Sequence, residues 1–131
     1  MLTSEIETPP MLTTTILIID DDTGLRETLR SLLELEGYTV AMASDGLDAL
    51  RQLDRVMPKA ILLDVRMPRM DGYEFLEELR RLGRRDEFPI IVLTADTLAQ
   101  ARMARVGVEG FLAKPFDIDD LLNKIEEVRL H

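Results

Sequence analysis

Apolar positions along this chain follow two alternating rhythms. Ile16-Leu17-Ile18-Ile19 is an unbroken apolar run, which predicts a short strand buried on both faces. Leu25, Leu29, Leu32 and Leu33 then recur at helical spacing, and Gly37 ends that helix. The two signals repeat about five times. Tyr38 to Met42 is a weaker strand, expected towards a sheet edge. Asp45-Gly46 opens a helix with Leu47, Leu50 and Leu53, which stops before Pro58. Ala60-Ile61-Leu62-Leu63 runs straight into Asp64, with Pro68 four residues on. Asp71-Gly72 leads into a helix carrying Phe75, Leu76, Leu79 and Leu82, ended near Gly83. Ile90 to Leu93 is a fourth strand, with Pro89 at its first step. A poorly patterned helix follows over 97–106, with Leu98, Ala101 and Val106 as its core candidates. Residues 110–113 form a brief fifth strand. Ile118, Leu121, Leu122, Ile125 and Val128 stripe the last helix, with Asp117 as its expected cap.

Alternation at this spacing predicts an α/β fold: a parallel five-stranded sheet covered by helices on both faces. Right-handed crossovers leave few topologies. The length of 131 residues suits one domain. Residues 1–13, polar and containing Pro9-Pro10, are expected to be a mobile leader, and 14–131 the domain. The pattern ends with the last helix, so no second domain is expected.

Composition narrows the chemistry. There is no cysteine, which excludes disulfides, thiol chemistry and Cys-based zinc sites. The only histidine is His131, so no histidine base or metal cluster is available. The net charge of −9 argues against a general nucleic-acid or anionic-membrane surface and suits local cation binding. Arg80, Arg81, Arg84 and Arg85 cluster at a helix C-terminus, where cations are favoured, and are read as a solvated helix end. No apolar run approaches the ~18 residues that span a bilayer, and residues 1–10 lack the features of a secretory signal. The expected location is cytoplasmic.

The chemistry sits just past the strands. Asp20, Asp21 and Asp22 follow the first, Asp64 ends the third, Thr94 and Ala95 follow the fourth, and Lys114-Pro115 follows the fifth. Strand two offers only Ala43 and Ser44. In a parallel sheet these ends point one way, towards the crevice where ligands bind. Several carboxylates in one place need a proton or a cation between them. An all-oxygen donor set favours a hard ion, Mg²⁺ (or Mn²⁺). Lys114 suits a phosphate oxygen or a carboxylate partner, and the Thr94 hydroxyl and Ala95 N–H are donors for an anion. An aspartate beside a metal, a lysine and a hydroxyl outlines an aspartyl-phosphate site. Each residue also has an ordinary account: Asp22 as a helix cap, Thr94 as a β-branched strand residue, Lys114 as a surface charge. Their joint occurrence at four strand ends favours a site.

With these motifs in view, the chain resembles the receiver domain of two-component response regulators, the CheY-like family. The resemblance rests on I-I-D-D-D at 18–22, L-L-D-V-R-M-P-R-M-D-G at 62–72, V-L-T-A at 92–95 and F-L-A-K-P-F at 111–116, and covers residues 15–129. It implies a flavodoxin-like (βα)5 sandwich with sheet order 2-1-3-4-5. It implies that Asp64 accepts a phosphoryl group from a phosphohistidine on a histidine kinase or phosphotransfer protein. Asp21, Asp64 and the backbone carbonyl of Arg66 would bind Mg²⁺ directly, and Asp20 through water. Thr94 would ligate the phosphoryl group and move on activation, Lys114 would bridge to it, and the Lys114–Pro115 bond would be cis. Phe111 stands at the aromatic switch position without a hydroxyl, so any in/out preference rests on packing. The face made by residues 97–106, strand five and the last helix would report to a downstream effector or output domain, and a homodimer would use the same face. The resemblance implies a signalling module that assists its own phosphorylation and dephosphorylation, not an enzyme in the usual sense.

Arg66 and Asp96 flank the crevice, two residues past Asp64 and Thr94, and are expected to pair and to tune the phosphoryl lifetime. Competing readings fare less well. An FMN-binding protein of this fold needs a Ser/Thr/Gly-rich phosphate loop where three aspartates stand. A dehalogenase-type phosphatase wants an acid at position 66. A P-loop binder needs a G-x-x-x-x-G-K run, which is absent. The remaining alternative is a phosphorylation-independent interaction module of the same fold.

Overall fold

Each apolar run becomes a parallel strand: β1 (Thr15–Ile19), β2 (Thr39–Ala43), β3 (Ala60–Asp64), β4 (Ile90–Thr94) and β5 (Gly110–Ala113). A helix follows each one: α1 (Thr23–Leu35), α2 (Gly46–Val56), α3 (Gly72–Arg81), α4 (Thr97–Val106) and α5 (Ile118–Arg129). The sheet order is β2-β1-β3-β4-β5, with the weaker β2 on an edge. This is the flavodoxin-like arrangement. The computed structural model describes residues 14–129; the leader expected over 1–13 and His131 lie outside the described residues. The sequence pattern gave no sign of a 3-10 turn at Arg85–Glu87, which links α3 to β4.

The strands are continuously apolar because both sheet faces are covered. Ile16 and Ile18 of β1, Ala60 and Leu62 of β3, and Ile91 and Leu93 of β4 pack on α1 and α5. The alternate residues Leu17, Ile19, Ile61, Leu63, Ile90 and Val92 pack on the side of α2, α3 and α4. In α4 the buried residues are Ala99 and Met103, not Leu98 and Ala101. Leu98 is 80 % exposed, while Val106 is half-buried as expected. The stripe Ala99-Met103-Val106 keeps helical spacing, but its small and flexible members carry a weaker sequence signal than Leu98.

Four helices begin on an aspartate whose side chain accepts a backbone N–H of the first turn: Asp22, Asp45, Asp71 and Asp96. Asp71 also forms a reciprocal capping box with Glu74. Asp117 serves α5 through its carbonyl, which accepts from the N–H groups of Asp120 and Leu121.

Candidate functional site

The C-terminal ends of β1, β3, β4 and β5 share one edge of the sheet, and their end residues meet there. Carboxylate oxygens of Asp20, Asp21 and Asp64 lie within 4.8 Å of one another. Asp20 is buried at 2 % exposure and Asp64 at 9 %, while Asp21 faces solvent. Lys114 Nζ is 3.0 Å from Asp20 Oδ2 and 3.7 Å from Asp64 Oδ1. Asp20 Oδ1 accepts from the Asp22 N–H at 2.9 Å, and Asp64 Oδ1 from the Val65 N–H at 2.9 Å. Arg26 of α1 hydrogen-bonds the Asp20 carbonyl, an anchor the sequence pattern did not suggest.

Thr94 is buried, and its Oγ1 accepts from the Asp96 N–H at 3.1 Å. The Lys114 N–H donates to the Thr94 carbonyl at 2.9 Å, which ties the lysine to the end of β4. Ala95 is exposed beside them. The Lys114–Pro115 peptide is cis, as the resemblance implied.

Charge crowding shows in the acid–base balance. Burial pushes the Asp64 carboxyl up to about 6 from the ordinary 3.8, and Asp20 adds to the rise. Lys114 and the Val65 N–H oppose it. Lys114 is thus one positive charge against the three carboxylates of Asp20, Asp21 and Asp64. Three carboxylates within reach of one point, with no nitrogen or sulfur donor among them, fit a hard divalent cation. Asp22 instead caps α1, accepting from the Leu25 N–H at 3.1 Å.

At the rim Arg66 and Asp96 form the expected ion pair. Arg66 is 77 % exposed, and Asp96 also caps α4 through Leu98 and Ala99. The Arg66 guanidinium, followed by the Ala99 N–H, holds the Asp96 carboxyl below the usual range. Phe111 pairs with Val92 in the sheet, two positions before Ala113, which pairs with Thr94. It is half-buried and packs on the α2–α3–α4 side.

The arginine cluster differs from a freely solvated helix end. Arg80 and Arg81 pair with Glu77 and Glu78, Arg84 with Asp54 and Glu87, and Arg85 with Glu109. Arg85 is only 12 % exposed. The pattern also gave no sign that Asp45, at 2 % exposure, pairs with Arg69. Its capping role was visible in Asp45-Gly46; a partner 24 residues away was not.

Residues 16–126 match the family model described as the response regulator receiver domain. The chain belongs to that family. Among curated proteins, the receiver domain is 45% identical over 112 residues to the response regulator MprA of Mycobacterium leprae. That match covers 84% of this chain and 48% of MprA, so the chain spans about half the length of the curated relatives it matches. Among solved structures, the chemotaxis protein CheY4 of Vibrio cholerae superposes with a TM-score of 0.80 at 32% identity, covering 88% of this chain and 98% of that one. The response regulator protein TrrA of Thermotoga maritima, in complex with Mg(2+)-BeF, gives a TM-score of 0.79 at 28% identity, covering 88% and 99%. The receiver domain is therefore a two-component signalling module. Among its described residues no helix is long and apolar enough to cross a membrane.

Proposed function

We propose that Asp64 is the phosphoacceptor of this receiver domain, and that its phosphoryl donor is a phosphohistidine on a histidine kinase or phosphotransfer protein. The observation that carries the reading is the meeting of Asp64 with Asp20, Asp21 and Lys114 at one sheet edge. An Asp64 oxygen attacks phosphorus, a new O–P bond forms, and the P–N bond breaks with its electron pair left on the imidazole. Lys114 then follows the charge, exchanging its carboxylate contacts for a phosphoryl oxygen. Thr94 turns its hydroxyl to another, with the Ala95 N–H as a further donor. Asp20, Asp21, Asp64 and the Arg66 carbonyl would hold Mg²⁺ (or Mn²⁺), which supplies charge neutralisation to the transferring group. The neighbour solved with Mg(2+)-BeF supports that choice. The Arg66–Asp96 pair at the rim is proposed to tune how long the phosphoryl group survives, with Arg66 shielding it from attacking water; Arg66→Ala should shorten the dephosphorylation half-life, and an equal half-life removes the idea.

The face formed by α4, β5 and α5 is proposed as the output surface, with Thr94 and Phe111 as switch residues. It would meet an effector, an output domain or a second copy of the chain. Support comes from α4, where Leu98 stands 80 % exposed and the core contacts rest on Ala99 and Met103. The receiver unit is taken as residues 14–131, working in the cytoplasm as a signalling module with no reaction beyond its own phosphorylation and dephosphorylation. Incubation with acetyl phosphate and Mg²⁺, followed by intact mass, tests the reading. Wild type should gain one phosphoryl group and Asp64→Asn none. An unmodified wild type, or the same gain in Asp64→Asn, overturns it.

A further inference from the structure

The acidic crevice leaves one buried carboxylate unused. Asp45 lies at the start of α2, outside the cluster, at 2 % exposure. Its two oxygens have separate partners. Oδ1 accepts from the Asp48 N–H at 2.9 Å and caps the helix. Oδ2 takes Arg69, with Nε at 2.6 Å and Nη2 at 2.5 Å. Burial alone would raise the Asp45 carboxyl, but the Asp48 N–H and Arg69 outweigh it and hold the group below its ordinary value.

Arg69 sits at φ +65°, in the left-handed region that glycine or asparagine occupies at lower cost. On backbone grounds arginine is a poor choice there, and its guanidinium is the group that holds Asp45 Oδ2. Its neighbour adds a second tie: the Gly46 N–H donates to the Met70 carbonyl at 2.9 Å. A Cβ on Gly46 would come within 2.7 Å of Met70 Cγ, so α2 and the loop are in direct contact. The far end of the loop closes through the Gly72 N–H to the Val65 carbonyl at 2.8 Å. Residues 65–71, the segment that leaves Asp64 and carries Arg66, are thus clamped to the N-terminus of α2.

We propose that Asp45 and Arg69 are positioning residues for the cation site: they hold the β3–α3 loop so that Arg66 and Asp64 present a preformed set of oxygens to a divalent ion. The inference rests on the reading of the crevice as a Mg²⁺ site. Partners one step removed from a metal's ligands set its affinity by orienting them. Neither Asp45 nor Arg69 touches the cluster, so the effect runs through the loop backbone.

Two substitutions separate this role from a general contribution to folding. Asp45→Asn keeps a good helix cap but removes the charge that Arg69 needs. Arg69→Gly removes the pair while suiting the left-handed backbone. Both should raise the Mg²⁺ dissociation constant by about tenfold, the low end for partners that orient metal ligands, in calorimetric titration. The apparent Mg²⁺ constant for phosphorylation by acetyl phosphate should rise in step, with the rate at saturating Mg²⁺ kept. Arg69→Lys should recover most of the affinity. In metal-free protein the Gly46 amide should exchange hydrogen faster in both variants, and the melting temperature should fall modestly, more in Arg69→Gly, which leaves the buried Asp45 carboxylate without its partner. Variants that match wild type in Mg²⁺ affinity within about twofold overturn the positioning role and leave the metal reading standing. A drop in affinity accompanied by an equal drop in stability, without rescue by lysine, also overturns it. A wild type that binds no Mg²⁺ removes the metal reading itself, and the positioning role with it.

Discussion

Asp64 is an acid kept where its charge is poorly accommodated: buried first of all, beside Asp20 second, and only partly relieved by Lys114. The folded-state value of about 6 lies above the ordinary 3.8, so ionisation opposes folding. Relative to the protonated acid, stability is lost as pH rises between those two values. In metal-free protein, Asp64→Asn should therefore be more stable than wild type above about pH 6 and should lose that advantage towards pH 4, as denaturant melts would report. The full shift corresponds to about 3 kcal/mol, and screening at the open side of the crevice reduces the expected gain to about 1–2 kcal/mol. A proton and a cation compete for the same oxygens, so Mg²⁺ affinity should fall roughly tenfold per pH unit well below pH 6. Lys114 has a related double effect. In the metal-free crevice it offsets the charge of Asp20 and Asp64 at 3.0 and 3.7 Å. Lys114→Met should bind Mg²⁺ more tightly, by severalfold in calorimetry, while accepting phosphoryl more slowly. These residues could be named from the chain because each stands at the end of an apolar run. Asp45 and Arg69 could not, since they lie 24 positions apart and meet only when α2 and the β3–α3 loop pack together.

Among the elements, α4 is the one where apolar pattern and burial diverge. Leu98 is the largest aliphatic residue in its first turn, yet it points to solvent, while Ala99 and Met103 face β4 and β5. Register against the sheet decides this: the Asp96 cap sets where the helix starts, and the start decides which side chains face inward. Met103→Ala should cost about 2–4 kcal/mol in chemical denaturation, whereas Leu98→Ala should stay within about 0.5 kcal/mol of wild type. The reverse order would mean that the helix packs in another register in solution. Gly72 shows a tighter constraint at the other end of the loop. A Cβ there would meet the Asp64 carbonyl oxygen at 2.7 Å and Val65 Cα at 2.9 Å, both backbone atoms with little room to move. Strand, loop and α3 can meet at this point because the residue is glycine, which the D-G pair in the sequence signalled only as a helix start.

Across the whole molecule, the sheet carries the acidic crevice at one edge, and α4 is tied to that edge through two contacts. Asp96 joins Thr94, by its N–H, and Arg66, by its carboxylate, to the first turn of α4. Arg102 stacks on the Tyr73 ring at 3.8 Å and links α4 to α3. A phosphoryl mimic such as beryllofluoride with Mg²⁺ should therefore shift amide resonances in residues 95–125. Unchanged signals over 95–125 would sink the proposed output face. The order of strands and helices, the parallel sheet and the placing of Asp20, Asp21, Asp64, Thr94 and Lys114 at one end of it were legible in the chain, because burial on both faces makes strands continuous and leaves polar residues only at their ends. Other features depended on the tertiary structure: which face of α4 turns inward, that four arginines at the end of α3 each have a carboxylate partner, and that Asp45 grips Arg69. Periodicity reports what a residue does within its own element. Contacts between elements depend on where each helix begins and how loops cross, and distance along the chain carries no record of either.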